Sequence, residues 1–173
     1  MHFKPSYRVQ EAPLLLPAHD SLPVTLSEIF TGSMDEYKQL SMPDEISNSY
    51  DHDEAEKSYN LNCLVCHGAT MDGEGPIMKL ASNRGDGTPA YNKGPFPANL
   101  TSDATLNSTD GELFGFISGG GRQGLAMRLR GRDSTSPMPE FSKLLNERER
   151  WLLVQYLRDG KRIYHHIKAY TLN

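Results

Sequence analysis

The feature that most constrains this chain is Cys63-Leu64-Val65-Cys66-His67, which contains its only two cysteines. Two cysteines separated by two residues, with a histidine directly after, have the spacing of a covalent c-type haem attachment site. Thiols three residues apart on one turn can add to the two vinyl groups of a single porphyrin. The adjacent imidazole is then held beneath the ring, within reach of the iron. Three other chemistries fit a close cysteine pair less well. A redox dithiol belongs in a βαβ context, and no such pattern surrounds Cys63. A structural zinc site usually takes four ligands, and the chain shows no second Cys/His cluster of comparable spacing. A disulfide between Cys63 and Cys66 would close too short a loop to stabilise much by chain entropy.

At 173 residues and 19.3 kDa the chain suits one domain with extensions. Apolar residues make up only 37%, beside 11 prolines and 15 glycines, so part of the chain is expected to lie outside a compact core. A haem would lend its own apolar surface to complete a small core. The net charge of −4 argues against nucleic acid as a partner and leaves proteins and small molecules open. No run approaches the roughly 20 apolar residues of a membrane helix, and residues 13–18, the longest apolar patch, are too short to span. The first thirty or so residues also lack the basic-then-apolar order of a secretory signal. Covalent haem attachment is normally extracytoplasmic. The expectation is therefore a periplasmic or extracytoplasmic location, a targeting segment already removed, and no transmembrane helix in the sequence itself.

Residues 1–50 hold five prolines and one glycine with little sustained periodicity. Each proline removes a backbone donor and disfavours helix in the residue before it. This stretch reads as an extended arm with at most short turns, as around residues 34–40. A disordered leader is the plainer alternative, but Tyr7, Leu14 to Leu16, Val24 and Phe30 are more apolar than a solvated linker needs. From Asp51 the character changes. Acidic residues gather where helix starts favour them, and a short helix leads to Cys63, ending in the Gly68 and Gly73/Gly75/Pro76 region. Residues 81–108 read as surface loop. Thr109 with Glu112 forms a capping box that opens a helix stopping at Gly119-Gly120-Gly121. A second loop carries the basic segment 122–132 to Pro137-Met138-Pro139. The last helix has Asn146 as cap and an apolar stripe through Trp151, Leu152, Val154, Tyr156 and Leu157, ending at Gly160. Residues 161–173 read as a basic, aromatic tail.

Several pieces in this order resemble a class I cytochrome c. They are Tyr59-Asn60-Leu61-Asn62-Cys63-Leu64-Val65-Cys66-His67-Gly68, Gly73-Glu74-Gly75-Pro76 and Pro97-Ala98-Asn99-Leu100-Thr101. Asp110-Gly111-Glu112-Leu113-Phe114, Met138-Pro139-Glu140-Phe141 and the run from Glu149 to Arg158 continue the series. The resemblance covers residues 51–160. It implies an all-α fold of three to five short helices around one covalent haem c, and electron transfer rather than catalysis.

The sixth iron ligand is the main choice left open. Met138 sits between two prolines that stiffen its loop, and the family carries its distal methionine in such a Met-Pro segment. Thioether opposite imidazole would raise the haem potential. Met127 lies in the same long stretch and competes, as do a histidine or an open position. Met71 and Met78 are too near His67 to cross the ring easily. Any single methionine could instead be core filler. The resemblance further implies that the Pro76 carbonyl accepts the His67 Nδ1 proton. It also implies that Tyr59 meets Tyr156 where first and last helices cross, near Ala55, and that Leu100 and Trp151 pack at the haem edge. Trp151 could equally be an ordinary core residue.

Residues 1–7 with 13–24 are similar to the N-terminal segment of the mono-haem cytochrome c subunit of alternative complex III, a membrane quinol-oxidising assembly. That likeness implies a non-catalytic electron-transfer subunit that docks on other subunits through residues 1–50 and meets a redox partner protein. A free periplasmic carrier, a haem enzyme or gas sensor with an open sixth position, and a structural clamp are the competing readings.

Overall fold

The computed structural model describes residues 33–78 and 96–171, and every regular element among them is helical. Residues 1–32 and 79–95 lie outside the described residues, and with them most of the expected arm and the first part of the expected loop at 81–108.

Local chemistry sets the helix starts. Asp51 caps α3 (His52–Asn62) by accepting from the backbone N–H groups of Asp53 at 2.9 Å and Glu54 at 3.2 Å. After Cys63 the short α4 (Leu64–His67) carries the chain to Gly68, whose φ of 80° turns it out of the helix. A one-turn α5 (Asp103–Leu106) lies within the stretch read as loop. Thr109 and Glu112 form the expected capping box of α6 (Asp110–Gly119), the hydroxyl accepting at 3.2 Å and the carboxylate at 2.8 Å. Asn146 and Glu149 repeat the device at the start of α8 (Glu147–Thr171), with bonds of 2.8 and 2.9 Å.

Glycines account for two departures from expectation. The run Gly119-Gly120-Gly121 ends α6, with Gly120 left-handed at φ 83°, but a helix rather than a loop follows at once: α7 (Gly121–Arg128). It folds back against α6 because neither contact glycine carries a Cβ. One at Gly119 would lie 2.7 Å from the Leu125 Cα, and one at Gly124 would enter the Gly119 carbonyl. Gly160 likewise does not end α8, which continues to Thr171 where a tail was expected. A Cβ at Gly160 would stand 3.2 Å from the Met71 sulfur. The residue therefore marks a close approach to the loop after His67, at a cost of about 1 kcal/mol relative to alanine in a helix.

The expected boundary at residue 50 is also displaced. Residues 33–50 form α1 (Met34–Gln39), capped by the Ser33 hydroxyl at 3.4 Å, and α2 (Asp44–Asn48). Tyr37 of α1 is only 7% exposed. Its ring lies over Gly115 of α6, where an added Cβ would come within 2.6 Å of Cδ1, and its carbonyl lies over Gly111. Met34, Met42 and Ile46 pack on the same core. This stretch is part of the domain because α6 presents two glycines that admit it, a match invisible to the periodicity of either segment alone.

The centre of the domain is the crossing of α3 with α8 and the packing of α8 on α6. Ala55 is completely buried, and Tyr59 meets Tyr156 with ring centroids 5.3 Å apart. Behind them Phe114 stacks on Trp151 at 4.2 Å. Two arginines tie the helices further. Arg150 donates to Ser118 in the interior, and Arg158 bonds Asp110 at 2.7 Å and the carbonyls of Leu106 and Ser108 at 3.1 and 2.6 Å.

Candidate haem site

One turn of backbone organises the site. The N–H groups of Cys66 and His67 both donate to the Cys63 carbonyl, at 3.1 and 2.9 Å. This winds the two thiols and the imidazole onto one short helical turn. Above it lies a cavity of about 320 Å³ whose walls are mainly apolar. Tyr59, Cys63, Cys66 and His67 contribute from α3 and α4, Leu113, Phe116 and Ile117 from α6, and Met138 with its flanking prolines from the loop before α8. Leu100 also lines it.

His67 is buried, which pushes its pKa below the ordinary value and keeps the ring neutral. Its Nδ1 lies 2.9 Å from the Ala98 carbonyl oxygen, so Nδ1–H donates there and the Nε2 lone pair is left to bind a metal. The expected acceptor was the Pro76 carbonyl, and Pro76 is not on the cavity wall. The structure assigns the role to Ala98 for a topological reason. The Leu100 N–H donates to the Met71 carbonyl at 2.7 Å, and Gly73 lets the Pro97 carbonyl approach to 2.5 Å of where its Cβ would be. Residues 97–100 are thereby strapped to the loop after His67, which sets the Ala98 oxygen beside the imidazole.

Cys63 and Cys66 are free thiols. Burial pushes the Cys63 thiol up to about 12 and raises that of Cys66 as well. Neither thiol has the lowered pKa of a redox dithiol's reactive cysteine. Among the described residues no three His, Cys, Asp or Glu side chains converge as a metal site. Apolar walls, two adjacent cysteines on one turn and one oriented imidazole do fit a porphyrin.

Of the methionines weighed, Met138 is the one on the cavity wall. Its loop is held against the α6–α7 turn. The Met138 N–H donates to the Ser136 hydroxyl at 3.3 Å, and its sulfur is 3.4 Å from a Cβ position on Gly121. Met127 turns elsewhere, with its sulfur 3.6 Å from the Thr135 hydroxyl, and Met71 packs toward Gly160. Trp151 does not reach the cavity. It is 2% exposed in the layer behind, stacked on Phe114, because the face of α8 that turns to the cavity carries Leu153 and Leu157 instead.

The family model described as cytochrome c matches residues 52–161. The chain belongs to the cytochrome c family. No curated protein matches it. The match begins with α3, so α1 and α2 are additions to the part this cytochrome c shares with its family. Membership accounts for the all-α, class I fold, for covalent binding of haem c and for haem-mediated electron transfer.

Sequence reasoning missed Ala98 and Arg122 as wall residues. Ala98 could have been found, since it lies inside the Pro97-Ala98-Asn99-Leu100 segment that carries the resemblance. Nothing in the sequence singled out Arg122.

Tyr59 joins wall and scaffold. Its hydroxyl, buried, donates to the Gly68 carbonyl at 2.7 Å, directly after His67. Tyr59→Phe removes that bond and leaves the carbonyl only the longer one from the Met71 N–H at 3.3 Å. It should destabilise the haem-loaded protein by about 0.5–1.5 kcal/mol, read from denaturant unfolding followed at the haem band. Unchanged stability would mean that the bond contributes nothing.

Proposed function

We propose that this cytochrome c holds one haem through Cys63 and Cys66, with His67 and Met138 as axial ligands, and passes single electrons between partner proteins. The observation that carries this reading is the meeting of Cys63, Cys66, His67 and Met138 on one apolar cavity. When bound, the haem supplies a one-electron couple whose ferrous state a thioether ligand favours. The chain's own residues do the rest. Ala98 orients the imidazole, Ser136 and the prolines hold the Met138 loop, and the apolar walls keep water from the iron. A methionine at the sixth position leaves no site for substrate, which supports an electron-transfer role over a haem enzyme or gas sensor.

The setting we propose is the extracytoplasmic side of a membrane, as a cytochrome subunit of a quinol-oxidising assembly similar to alternative complex III. Its support is the likeness of residues 1–7 and 13–24 to that family's N-terminal segment. Among the described residues no helix is long and apolar enough to cross a membrane.

Two measurements test these readings. Ferric protein should show the weak near-infrared band of methionine sulfur on haem iron. Met138→Ala should abolish it and admit cyanide or carbon monoxide, while Met127→Ala leaves it intact. Loss of the band in Met127→Ala would reassign the ligand. Native protein purified from mild detergent extracts should bring a quinol-oxidising complex with it, and recovery as a free monomer would favour a diffusing carrier.

A further inference from the structure

The mainly apolar cavity wall carries one charged side chain that the proposed function does not use. Arg122, the second residue of α7 and itself exposed, is the only Arg or Lys among the described residues that line it, and no Asp or Glu is among them. Its guanidinium lies over the Phe116 ring at 4.5 Å. One terminal nitrogen, Nη2, donates to the Ala104 carbonyl and to the Ser108 hydroxyl, each at 2.8 Å. Those bonds fix the plane of the fork and leave Nε and Nη1 with no acceptor among the described residues. Arg158, the nearby arginine on α8, is different: its bonds to Asp110, Leu106 and Ser108 occupy all three nitrogens.

Haem carries two carboxylates, and a carboxylate set against apolar walls is costly unless it is paired. An arginine fork already held in one plane is the partner that suits it, because two parallel charge-assisted bonds form without much further loss of side-chain freedom. The first turn of α7 carries no side-chain cap, so the positive end of that helix adds to the field of Arg122.

We propose that Arg122 receives a propionate of the haem at this cavity, orienting the cofactor and biasing its couple toward the ferrous state. The inference rests on the haem reading. Its sign follows from charge: the ferric site carries one more positive charge than the ferrous. A nearby guanidinium that also neutralises a carboxylate therefore disfavours the ferric form.

The test uses the full-length, haem-loaded protein, with covalent haem first verified in the wild type by its pyridine haemochrome spectrum. Absence of covalent haem there would remove the cofactor reading and this proposal with it. Arg122→Gln should shift the reduction potential to a more negative value and shift the propionate bending band in the resonance Raman spectrum. Arg122→Lys keeps the charge but not the fork, so the potential should stay nearer that of the wild type while the band still shifts. A residue that merely staples α5 to α7 would lower the melting temperature and leave the band where it is. An unshifted band in Arg122→Gln overturns the assignment. Should that variant fail to accumulate, an unshifted band in Arg122→Lys does so.

Discussion

Replacing Cys63 and Cys66 together by alanine abolishes covalent haem: wild-type protein that is denatured and extracted with acidified organic solvent keeps its colour, and the double variant keeps none. The reason is stereochemical. These are the chain's only cysteines, and both stand on the wall above His67. The loss should extend to folding. A void of about 320 Å³ between α3, α6 and the Met138 loop forfeits the packing that the cofactor supplies. A void that large costs on the order of several kcal/mol, comparable with the whole stability of a small domain. The haem-free variant is therefore expected to melt without a sharp transition by circular dichroism. Haem colour retained by the double variant, or released from the wild type by the solvent, would overturn the covalent assignment.

Tyr37→Ala lowers the stability of the haem-loaded protein by about 3–5 kcal/mol, the usual cost of removing a large buried ring from a core. The expectation comes from the seat of Tyr37 on Gly111 and Gly115 of α6 and from its near-complete burial. Deleting residues 33–48 should cost at least as much, since Met34, Met42 and Ile46 leave with it. Guanidinium unfolding monitored at the haem band and by far-ultraviolet dichroism measures both. The result separates two roles for the N-terminal region. An arm that serves only a partner would leave the isolated protein as stable as before, and an unchanged midpoint in Tyr37→Ala would restore that view. Residues 1–32, outside the described residues, remain the segment on which a docking role can be tested without disturbing the domain.

The ion pairs on the surface matter less. Arg148 holds Glu54 through two bonds of 2.6 and 2.9 Å and pulls its carboxyl below the usual range. Both groups are exposed, and such pairs contribute little once solvent screens them.

What the sequence determined by itself was whatever acts within about four residues. The cysteine spacing, the capping pairs Thr109 with Glu112 and Asn146 with Glu149, and the cap at Asp51 are all of this kind. Each partner reaches the other along one turn of backbone, so residue type and spacing suffice. The family pattern added Met138, whose wall position then depends on the loop pinned by Ser136 and Gly121. The tertiary structure alone decided everything that depends on residues far apart meeting. His67 donates its hydrogen bond to a carbonyl 31 positions away, so the proline after the glycine loop was a poor guide. Gly160 read as a stop, yet it is a contact point where helix meets loop, and Gly119 both ends its helix and admits the next one, because a missing Cβ looks the same in sequence for either purpose. Trp151 went to the layer behind the cavity and Arg122 to its wall. A helix presents both faces in one string of letters, and only its neighbours say which face is which.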